Sequence, residues 1–436
     1  MYKQKTFSSY SFGCRVNEAE KIAIDNQMVV AGFLNTQDHP DVYIINSCAV
    51  TVKAEREARQ MILKLKRENP TLKLVVTGCG VTHWKKNDIW NNIPIDLIIS
   101  NTDKEFTTRL ILKRFYKDVA IKKKLPQDST LLQGDKFLSS GRVMIKIQDG
   151  CHRFCTYCIV PYLRGTPTSK KISAILNDLN TFGSKASEVI YTAINTEDFG
   201  KDTNETVMNL IDQTLVHTKI KRISFGSIHP WSINDAFIKY YRNLSLNTRF
   251  SNFFHVPLQS GSNKILRLMK REYVIEEIIE KLNQIRNISP LSLIATDIIV
   301  GFLEETDKDF EETYKLLELS PINRFHVFRF SPRQNTAAYY LKKRLDEPID
   351  KKKMERAKRL AALGTAKYNK FIRKFVGLTG EALFIGNVKE GYQQAILNNQ
   401  VSTLIKTNVS LRGNMKHVKI TGLQKNTLMG EVAKES

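Results

Sequence analysis

The sequence predicts an α/β protein of three units: an N-terminal doubly wound parallel sheet, a central partial (βα)6 barrel and a small C-terminal all-β barrel. Three observations predict it. Apolar runs of strand length alternate with amphipathic stretches as far as about residue 118. The alternation resumes over 142–330, with six apolar runs and five helical stretches between them. Beyond Gly377 the texture changes to short β-like runs separated by Gly and Asn. A repeated strand–helix order implies parallel sheets, because parallel strands need a crossover and a helix supplies it.

In the first unit, 1–118, the expected strands are Thr6–Ser11, Val42–Ser47, Leu72–Thr77 and Ile95–Ser100, with helices starting near Asn17, Lys53, Thr82 and Thr102. Residues 119–141 mix a lysine run with Pro, Gly and Ser and read as a linker, part of it compatible with an edge strand. The second unit, 142–375, offers strands at Val143–Gln148, Glu188–Ile194, Arg222–Ser227, Phe253–Leu258, Leu293–Val300 and Phe325–Phe330. Helices are expected near 170–182, 203–217, 233–243, 262–287 and 307–319, with a long basic helix over 346–375. Six strands with five helices fit a partial barrel; a flat doubly wound sheet is the alternative. The tail, 376–436, fits a small β-barrel.

Lys and Arg number 67 against 44 Asp and Glu, a formal charge of +23. From Lys351 to the end there are 17 Lys and Arg against 5 Glu, so half of the excess lies in the last fifth of the chain, the long basic helix included. A balance this basic implies a polyanionic partner, nucleic acid first and an anionic membrane second. No apolar window reaches the roughly 18 residues of a transmembrane helix. The start lacks the apolar core of a signal peptide, and the chain reads as cytoplasmic.

Six cysteines in such a chain do not read as a disulfide framework. They fall into two triads. Cys151, Cys155 and Cys158 are spaced C-x3-C-x2-C just after a predicted strand, so three thiolates share one loop at the carboxyl end of a barrel strand. Three thiolates can hold three irons of a [4Fe–4S] cluster and leave the fourth open to a small molecule. Zinc is the competing reading, but closed zinc sites want four ligands, and the nearby extra donor, His152, adjoins Cys151. Cys14, Cys48 and Cys79 are far apart in sequence, yet each follows a predicted parallel strand. Such strand ends share one edge, where ligands bind. Three unrelated buried cysteines is the alternative. Glycines beside Cys14 and on both sides of Cys79 favour a site, because Gly permits close backbone approach.

The pattern C-x3-C-x-aromatic-C, with Tyr157 as the aromatic, resembles the signature of radical S-adenosylmethionine (radical SAM) enzymes. The wider string GCHRFCTYCIVPYLRG narrows the resemblance to the methylthiotransferases, and it covers essentially the whole chain. The resemblance implies that Cys151, Cys155 and Cys158 hold the catalytic cluster that binds S-adenosylmethionine. It implies that Cys14, Cys48 and Cys79 hold a second [4Fe–4S] cluster, and that the tail is an RNA-binding TRAM barrel. Further strings fit the family: YTAINTEDFG, SFGSIHPWSI, HVPLQSGSNKILRLMKREY, ATDIIVGFLEET and FRFSPRQNTAA. By resemblance, Tyr157, Asn195, Ser227, Gln259 and Val300 lie around S-adenosylmethionine or the target base. Two departures stand out: Thr192-Ala193 where the family has Thr-Gly, and Leu303-Glu304-Glu305 where it has Pro-Gly-Glu.

The implied reaction attaches a methylthio group to an unactivated C–H carbon through radical chemistry, with an outside reductant such as flavodoxin or ferredoxin. Family members modify adenosine 37 in the anticodon stem-loop of tRNA, or an aspartate of a ribosomal protein. The basic charge favours RNA, whose phosphates it would neutralise. GCRVNEAE resembles the threonylcarbamoyladenosine (t6A) branch, whereas the isopentenyladenosine branch has Gly-Cys-Gln-Met-Asn. The alternatives, in order, are that second branch, the ribosomal-protein enzyme, and a non-enzymatic iron–sulfur RNA-binding sensor.

Overall fold

The computed structural model describes residues 4–87, 91–116 and 138–433. The N-terminal sheet contains β1 (Thr6–Ser11), β2 (Leu34–Asn35), β3 (Val42–Ser47), β4 (Lys73–Gly78) and β5 (Leu97–Ile98), all parallel, in the order β2-β1-β3-β4-β5. The order reverses between β1 and β3, which places the ligand-binding crevice of such a sheet at the carboxyl ends of these strands. Helices α1 (Arg15–Val30), α2 (Val52–Glu68), α3 (Cys79–Lys86) and α4 (Thr107–Phe115) cover both faces. Strand β3 is buried at all six positions, as its run VYIINS requires in a central strand. Thr51 caps α2 by accepting from Ala54 N at 3.1 Å. The strand expected over Ile95–Ser100 contracts to two residues at the sheet edge. Residues 101–106, expected to open a helix near Thr102, form a 3-10 turn before α4.

The central strands are β6 (Arg142–Asp149), β7 (Thr168–Ser169), β8 (Glu188–Ala193), β9 (Arg222–Phe225), β10 (Phe253–His255), β11 (Leu293–Val300) and β12 (Arg324–Arg329). Apart from the short antiparallel β7, they run parallel in chain order, as β6-β8-β9 and β10-β11-β12. A parallel bridge between Ile223 and Phe250 links the two halves. Sequential order is that of a barrel, since a doubly wound sheet would reverse direction. The long strands were legible to within a residue or two. The helix expected over 262–287 is broken into α9 (Asn263–Leu268) and α10 (Ile275–Ile288), because Lys270 takes a positive φ of 55°. The remaining helices are α5 (Val160–Arg164), α6 (Ile172–Phe182), α7 (Val207–His217), α8 (Asp235–Leu244), α11 (Asp307–Leu319), α12 (Ala337–Leu341) and the long α13 (Asp350–Ile372). The expected linker 119–141 lies outside the described residues up to 137; beyond it, Leu138–Ser140 form a 3-10 turn leading into β6.

Strands β13 (Thr379–Lys389), β14 (Tyr392–Leu397), β15 (Ser402–Lys406), β16 (Met415–Gln424) and β17 (Thr427–Val432) close a five-stranded barrel in the order β13-β14-β15-β17-β16. Its core is continuous with the amino-terminal ends of the central strands: Phe253, Leu293 and Ala295 pack with Phe371, Phe375, Ala382 and Phe384. No described helix is long and apolar enough to cross a membrane.

The N-terminal unit covers the central barrel. Ala19 and Ile22 of α1 pack on Met144 and Ile190 of β6 and β8. A buried ion pair adds a second link: Arg333 donates to Glu55, whose other oxygen accepts from Trp84 Nε1 at 2.9 Å and lies 2.8 Å from His83 Nδ1. Burial opposes the Glu55 charge, but hydrogen bonds from His83 and Arg333 hold its carboxyl below the usual carboxylate range. The pair's contribution is therefore present above that range and is lost as pH falls through the depressed value. Arg333→Met leaves the Glu55 charge buried without its guanidinium partner and is expected to lower stability by about 3 kcal/mol. The urea midpoint near neutral pH measures this, and an unchanged midpoint would show that the pair contributes nothing.

Candidate metal centres

Three adjacent strands deliver the dispersed triad to one edge. Cys14 caps α1 after β1, Cys48 directly follows β3, and Cys79 opens α3 after β4. Cys14 and Cys79 thus stand at two helix N-termini, where backbone N–H groups lack intrahelical partners. The glycines are needed for this approach. A Cβ on Gly13, whose φ is +92°, would lie 2.4 Å from Cys48 Sγ. One on Gly78 would lie 2.3 Å from Ser47 O, and one on Gly80 would lie 2.8 Å from Ser47 Oγ. Cys14 and Cys79 both act on the Cys48 thiol, which burial above all pushes up to about 12. Cys14 is reachable by solvent, yet burial also raises its thiol.

The compact triad lies in the loop between β6 and α5. Cys155 is buried, and Cys151 and Cys158 are half-buried. Burial raises the Cys151 thiol and pushes Cys158 up to about 12, with Cys155 and Cys151 adding to it. Arg271 NH1 lies 3.7 Å from Cys155 Sγ, and its NH2 donates to Pro257 O at 2.6 Å. The Arg153 and Arg271 guanidiniums both lie over the Trp231 ring, at 4.1 and 4.3 Å from its centroid. His152, the extra donor a zinc reading would use, turns to Asp198 at 3.2 Å.

The dispersed triad meets the segment that follows the compact one. Ala49 and Cys79 pack with Ile159 and Leu163, the segment that directly follows Cys158. Arg164 of α5 joins both sides. Its Nε lies 3.2 Å from Cys79 Sγ, its NH1 donates to Glu20 and to Asp149 at 2.8 Å each, and its NH2 donates to Asn17 Oδ1 at 2.7 Å. Glu20 also accepts from Lys104 at 2.6 Å and Lys146 at 3.0 Å. Burial alone disfavours the Glu20 charge, but Lys104, Arg164 and Lys146 hold its carboxyl well below the usual range. Asn101 Nδ2, 3.5 Å from Cys79 Sγ, donates to Leu163 O at 3.1 Å and ties the two sides again.

Donor spacing separates the metal readings. Three thiolates on one zinc, at Zn–S near 2.3 Å, would lie within roughly 4 Å of one another. Among the described residues, the group of three Cys, His, Asp or Glu donor atoms within 4.8 Å of one another is His255, Asp297 and His326, and neither cysteine triad is drawn that close. The six thiols are free, and one sulfur of each triad is met by an arginine N–H, Cys79 by Arg164 and Cys155 by Arg271. A groove of about 940 Å³ on the outer face of α9, α10 and α11 contains none of these residues.

The other sequence-predicted residues scatter around the carboxyl ends of the barrel strands. Tyr157 is half-buried beside Phe302, with ring centroids 6.4 Å apart. Asn195 is buried, bonding Asp198 at 2.7 Å and Gln148 Oε1 at 2.9 Å. Ser227 Oγ lies 3.1 Å from His255 Nδ1. Gln259 holds a strained φ of 75° between β10 and α9, with its N–H on Asp297 O. Val300 is buried at the end of β11. The two departures are accommodated. Ala193 ends β8 without a positive φ, so no glycine is required there. Glu304 does take φ 59°, and its strain is offset by paired bonds with Asp346: Glu304 N to Asp346 O at 2.8 Å and Asp346 N to Glu304 Oε1 at 2.7 Å. Sequence reasoning assigned no role to Arg15, Glu20, Arg164, Arg271 or the His255–Asp297–His326 group. All lie in or beside strings it had marked, which was the available signal.

Comparison with known proteins decides the family. The Radical SAM superfamily matches residues 145–317, and the Uncharacterized protein family UPF0004 matches residues 6–100. The threonylcarbamoyladenosine tRNA methylthiotransferase MtaB of Aquifex aeolicus is 33% identical over 386 residues, covering 86% of this chain and 92% of that protein. The chain belongs to the radical SAM methylthiotransferase family. The protein of the same name from Chlamydia pneumoniae is 31% identical over 98% of both chains. The tRNA-2-methylthio-N(6)-dimethylallyladenosine synthase of Petrotoga mobilis is also 31% identical, over 97% of this chain and 98% of that protein. Family membership carries with it S-adenosylmethionine and a [4Fe–4S] cluster.

The two-site geometry makes a countable prediction. Anaerobic reconstitution is expected to load about eight irons per chain, the content of two [4Fe–4S] clusters. Changing Cys151, Cys155 and Cys158 together to Ala should leave about half. Gly13→Ala, which drives a Cβ into Cys48, should also leave about half, with the compact site intact. Iron assay and circular dichroism measure both, and full iron in the triple variant would refute the assignment.

Proposed function

We propose that this chain converts N6-threonylcarbamoyladenosine at position 37 of tRNA to its 2-methylthio derivative. On this reading Cys151, Cys155 and Cys158 hold the cluster that binds S-adenosylmethionine, and Cys14, Cys48 and Cys79 hold a second [4Fe–4S] cluster. What supports the reading is that the Cys79 side of the dispersed triad packs on Ile159, Leu163 and Arg164, the segment just after the compact triad, in a chain whose relatives bear that activity in their names. When bound, the clusters and S-adenosylmethionine supply the one-electron chemistry that an unactivated C–H bond demands and side chains cannot provide.

The chain's own groups have narrower tasks. Arg271 and Arg164 direct N–H donors at one sulfur of each triad, Cys155 and Cys79. Burial keeps the Cys48 and Cys158 thiols protonated in the metal-free protein, so loading must release protons and strengthens as pH rises. Tyr157, Asn195, Ser227, Gln259 and Val300 are assigned to the surroundings of S-adenosylmethionine or the base. In this division of labour, residues 1–118 carry the second cluster, 142–375 the radical chemistry and 376–436 the RNA contact, with the chain working in the cytoplasm. A flavodoxin or ferredoxin is the expected electron donor.

Nucleoside mass spectrometry of tRNA from cells with and without the protein tests the reaction. The expected outcome is loss of 2-methylthio-t6A with accumulation of t6A. Loss of the isopentenyl derivative instead would favour the activity named for the Petrotoga relative. No change in either nucleoside would overturn the tRNA reading.

The tail's role has its own test. Deletion would strip Phe253, Leu293 and Ala295 of their packing, so charge removal is cleaner. Changing the exposed Lys389, Lys406, Lys419 and Lys425 to Gln is expected to weaken tRNA binding and flatten its salt dependence. The log–log slope should become shallower by about 0.7–0.9 for each phosphate no longer neutralised. An unchanged slope would move the RNA site elsewhere.

A further inference from the structure

His255, Asp297 and His326 stand on three successive barrel strands, with Asp297 and His326 directly paired across β11 and β12. Asp297 Oδ1 lies 2.9 Å from His255 Nε2 and 3.2 Å from His326 Nδ1. An ionised carboxylate accepts only, so both imidazoles donate to it and each keeps its other nitrogen as an acceptor. Burial opposes the Asp297 charge, but the hydrogen bonds from His255 and His326 hold its carboxyl well below the usual range. His255 Nδ1 then receives the Ser227 hydroxyl at 3.1 Å. His326 Nε2 has no hydrogen-bond partner among the described residues, and the side chain is 42% exposed.

This wall is continuous with the second cysteine site. Arg15, directly after Cys14, sends NH1 to within 3.4 Å of Gly226 O, the residue before Ser227. A Cβ on Gly226 would meet Arg15 Cδ at 3.2 Å, so the arginine stem lies against the strand end. The Arg15 charge is felt together with Arg142, Glu188 and Arg324 of the barrel. Beside Cys14, an arginine thus lies against the strand end that carries the Ser227 hydroxyl, which adjoins a carboxylate already engaged by two imidazoles. A hydrocarbon group placed there would leave these atoms desolvated and unpaired, which is expensive. A substituent with a carboxylate, a hydroxyl and a carbonyl would pair them.

We propose that Arg15, Ser227, His255, Asp297 and His326 form the pocket for the acidic, amino-acid-like substituent on N6 of the target adenosine, with Arg15 meeting its carboxylate and His326 its hydroxyl. The proposal rests on the t6A reading above and deepens it.

The test is binding, measured anaerobically on the reconstituted protein with S-adenosylmethionine present. Three anticodon stem-loops, carrying t6A, isopentenyladenosine or plain adenosine at position 37, are titrated by fluorescence anisotropy. The t6A stem-loop is expected to bind at least about tenfold tighter than the other two, the lower end of what a missing polar partner costs a site built for it. Arg15→Gln and His326→Phe should each reduce that ratio to within about threefold, with iron content and circular dichroism showing that the variants fold. Equal affinities for all three stem-loops in the wild type would overturn the pocket, as would variants that keep the full ratio. Discrimination abolished by a chelator that leaves the iron in place would also overturn it, in favour of a divalent cation on the three donors. The outcomes separate from those of the functional reading. A protein that discriminates t6A but does not modify it in cells keeps the pocket and loses the reaction, and the reverse result keeps the reaction and loses the pocket.

Discussion

The buried ion cluster of Glu20, Arg164, Lys104, Lys146 and Asp149 is the constraint on which the arrangement of the two triads depends. Its members come from α1, α5, β6 and the turn before α4, so it lies across the junction of the N-terminal sheet and the barrel. Charges this deep are costly to desolvate, and they are tolerated only when their partners are in place. Displacing α1 by a few ångströms would therefore strand several charges at once. Such a junction has one favourable position, and the Cys79 sulfur is held within it by the same guanidinium that binds Glu20. Positional precision between the N-terminal sheet and the barrel thus comes from electrostatics, whose penalty for misplacement is steep. The apolar contacts of Ala19, Ile22, Met144 and Ile190 beside it supply adhesion without that selectivity.

The backbone around the triads carries strain in a consistent place. Gly13, Gly78, Gly150 and Gly165 all hold positive φ close to a cysteine, and Phe154, inside the compact triad, does so without being glycine. Loops that must bring three sulfurs around one volume cannot follow ordinary strand–turn geometry. The surrounding packing has to over-determine them. Glu304 shows the same logic at a site where relatives use glycine: the conformation is kept, and two hydrogen bonds with Asp346 take over from the missing conformational freedom.

Much of this was legible in the sequence. Apolar runs such as VYIINS and LIATDIIV announced the long strands because burial on both faces demands such runs. C-x3-C-x2-C announced its own convergence because its members are close in the chain. The convergence of Cys14, Cys48 and Cys79 needed one further step, the common edge of parallel strands. What stayed hidden depends on contacts between distant residues. The pairings of Arg164 with Glu20 and of Arg333 with Glu55 span 144 and 278 positions, and no local pattern encodes them. The break between α9 and α10 was equally silent, since Met269–Val274 contains neither Gly nor Pro and the left-handed Lys270 is held by its tertiary setting.

The C-terminal barrel does not hang from a tether. Its residues bond directly to the floor of the central barrel: Gly413 O accepts from Ser187 Oγ at 2.8 Å, Ile396 O from Arg222 at 3.3 Å, and Asn399 donates to Leu291 O at 2.6 Å. With Phe253 and Leu293 shared between the two cores, the separation between this barrel and the cysteine loops is a constant of the fold. On the proposed RNA reading, a polyanion held at the barrel would be presented to those loops at a fixed offset, as on a ruler. Which position along the polymer reached them would then be set by a length built into the protein, before any side chain read the base itself.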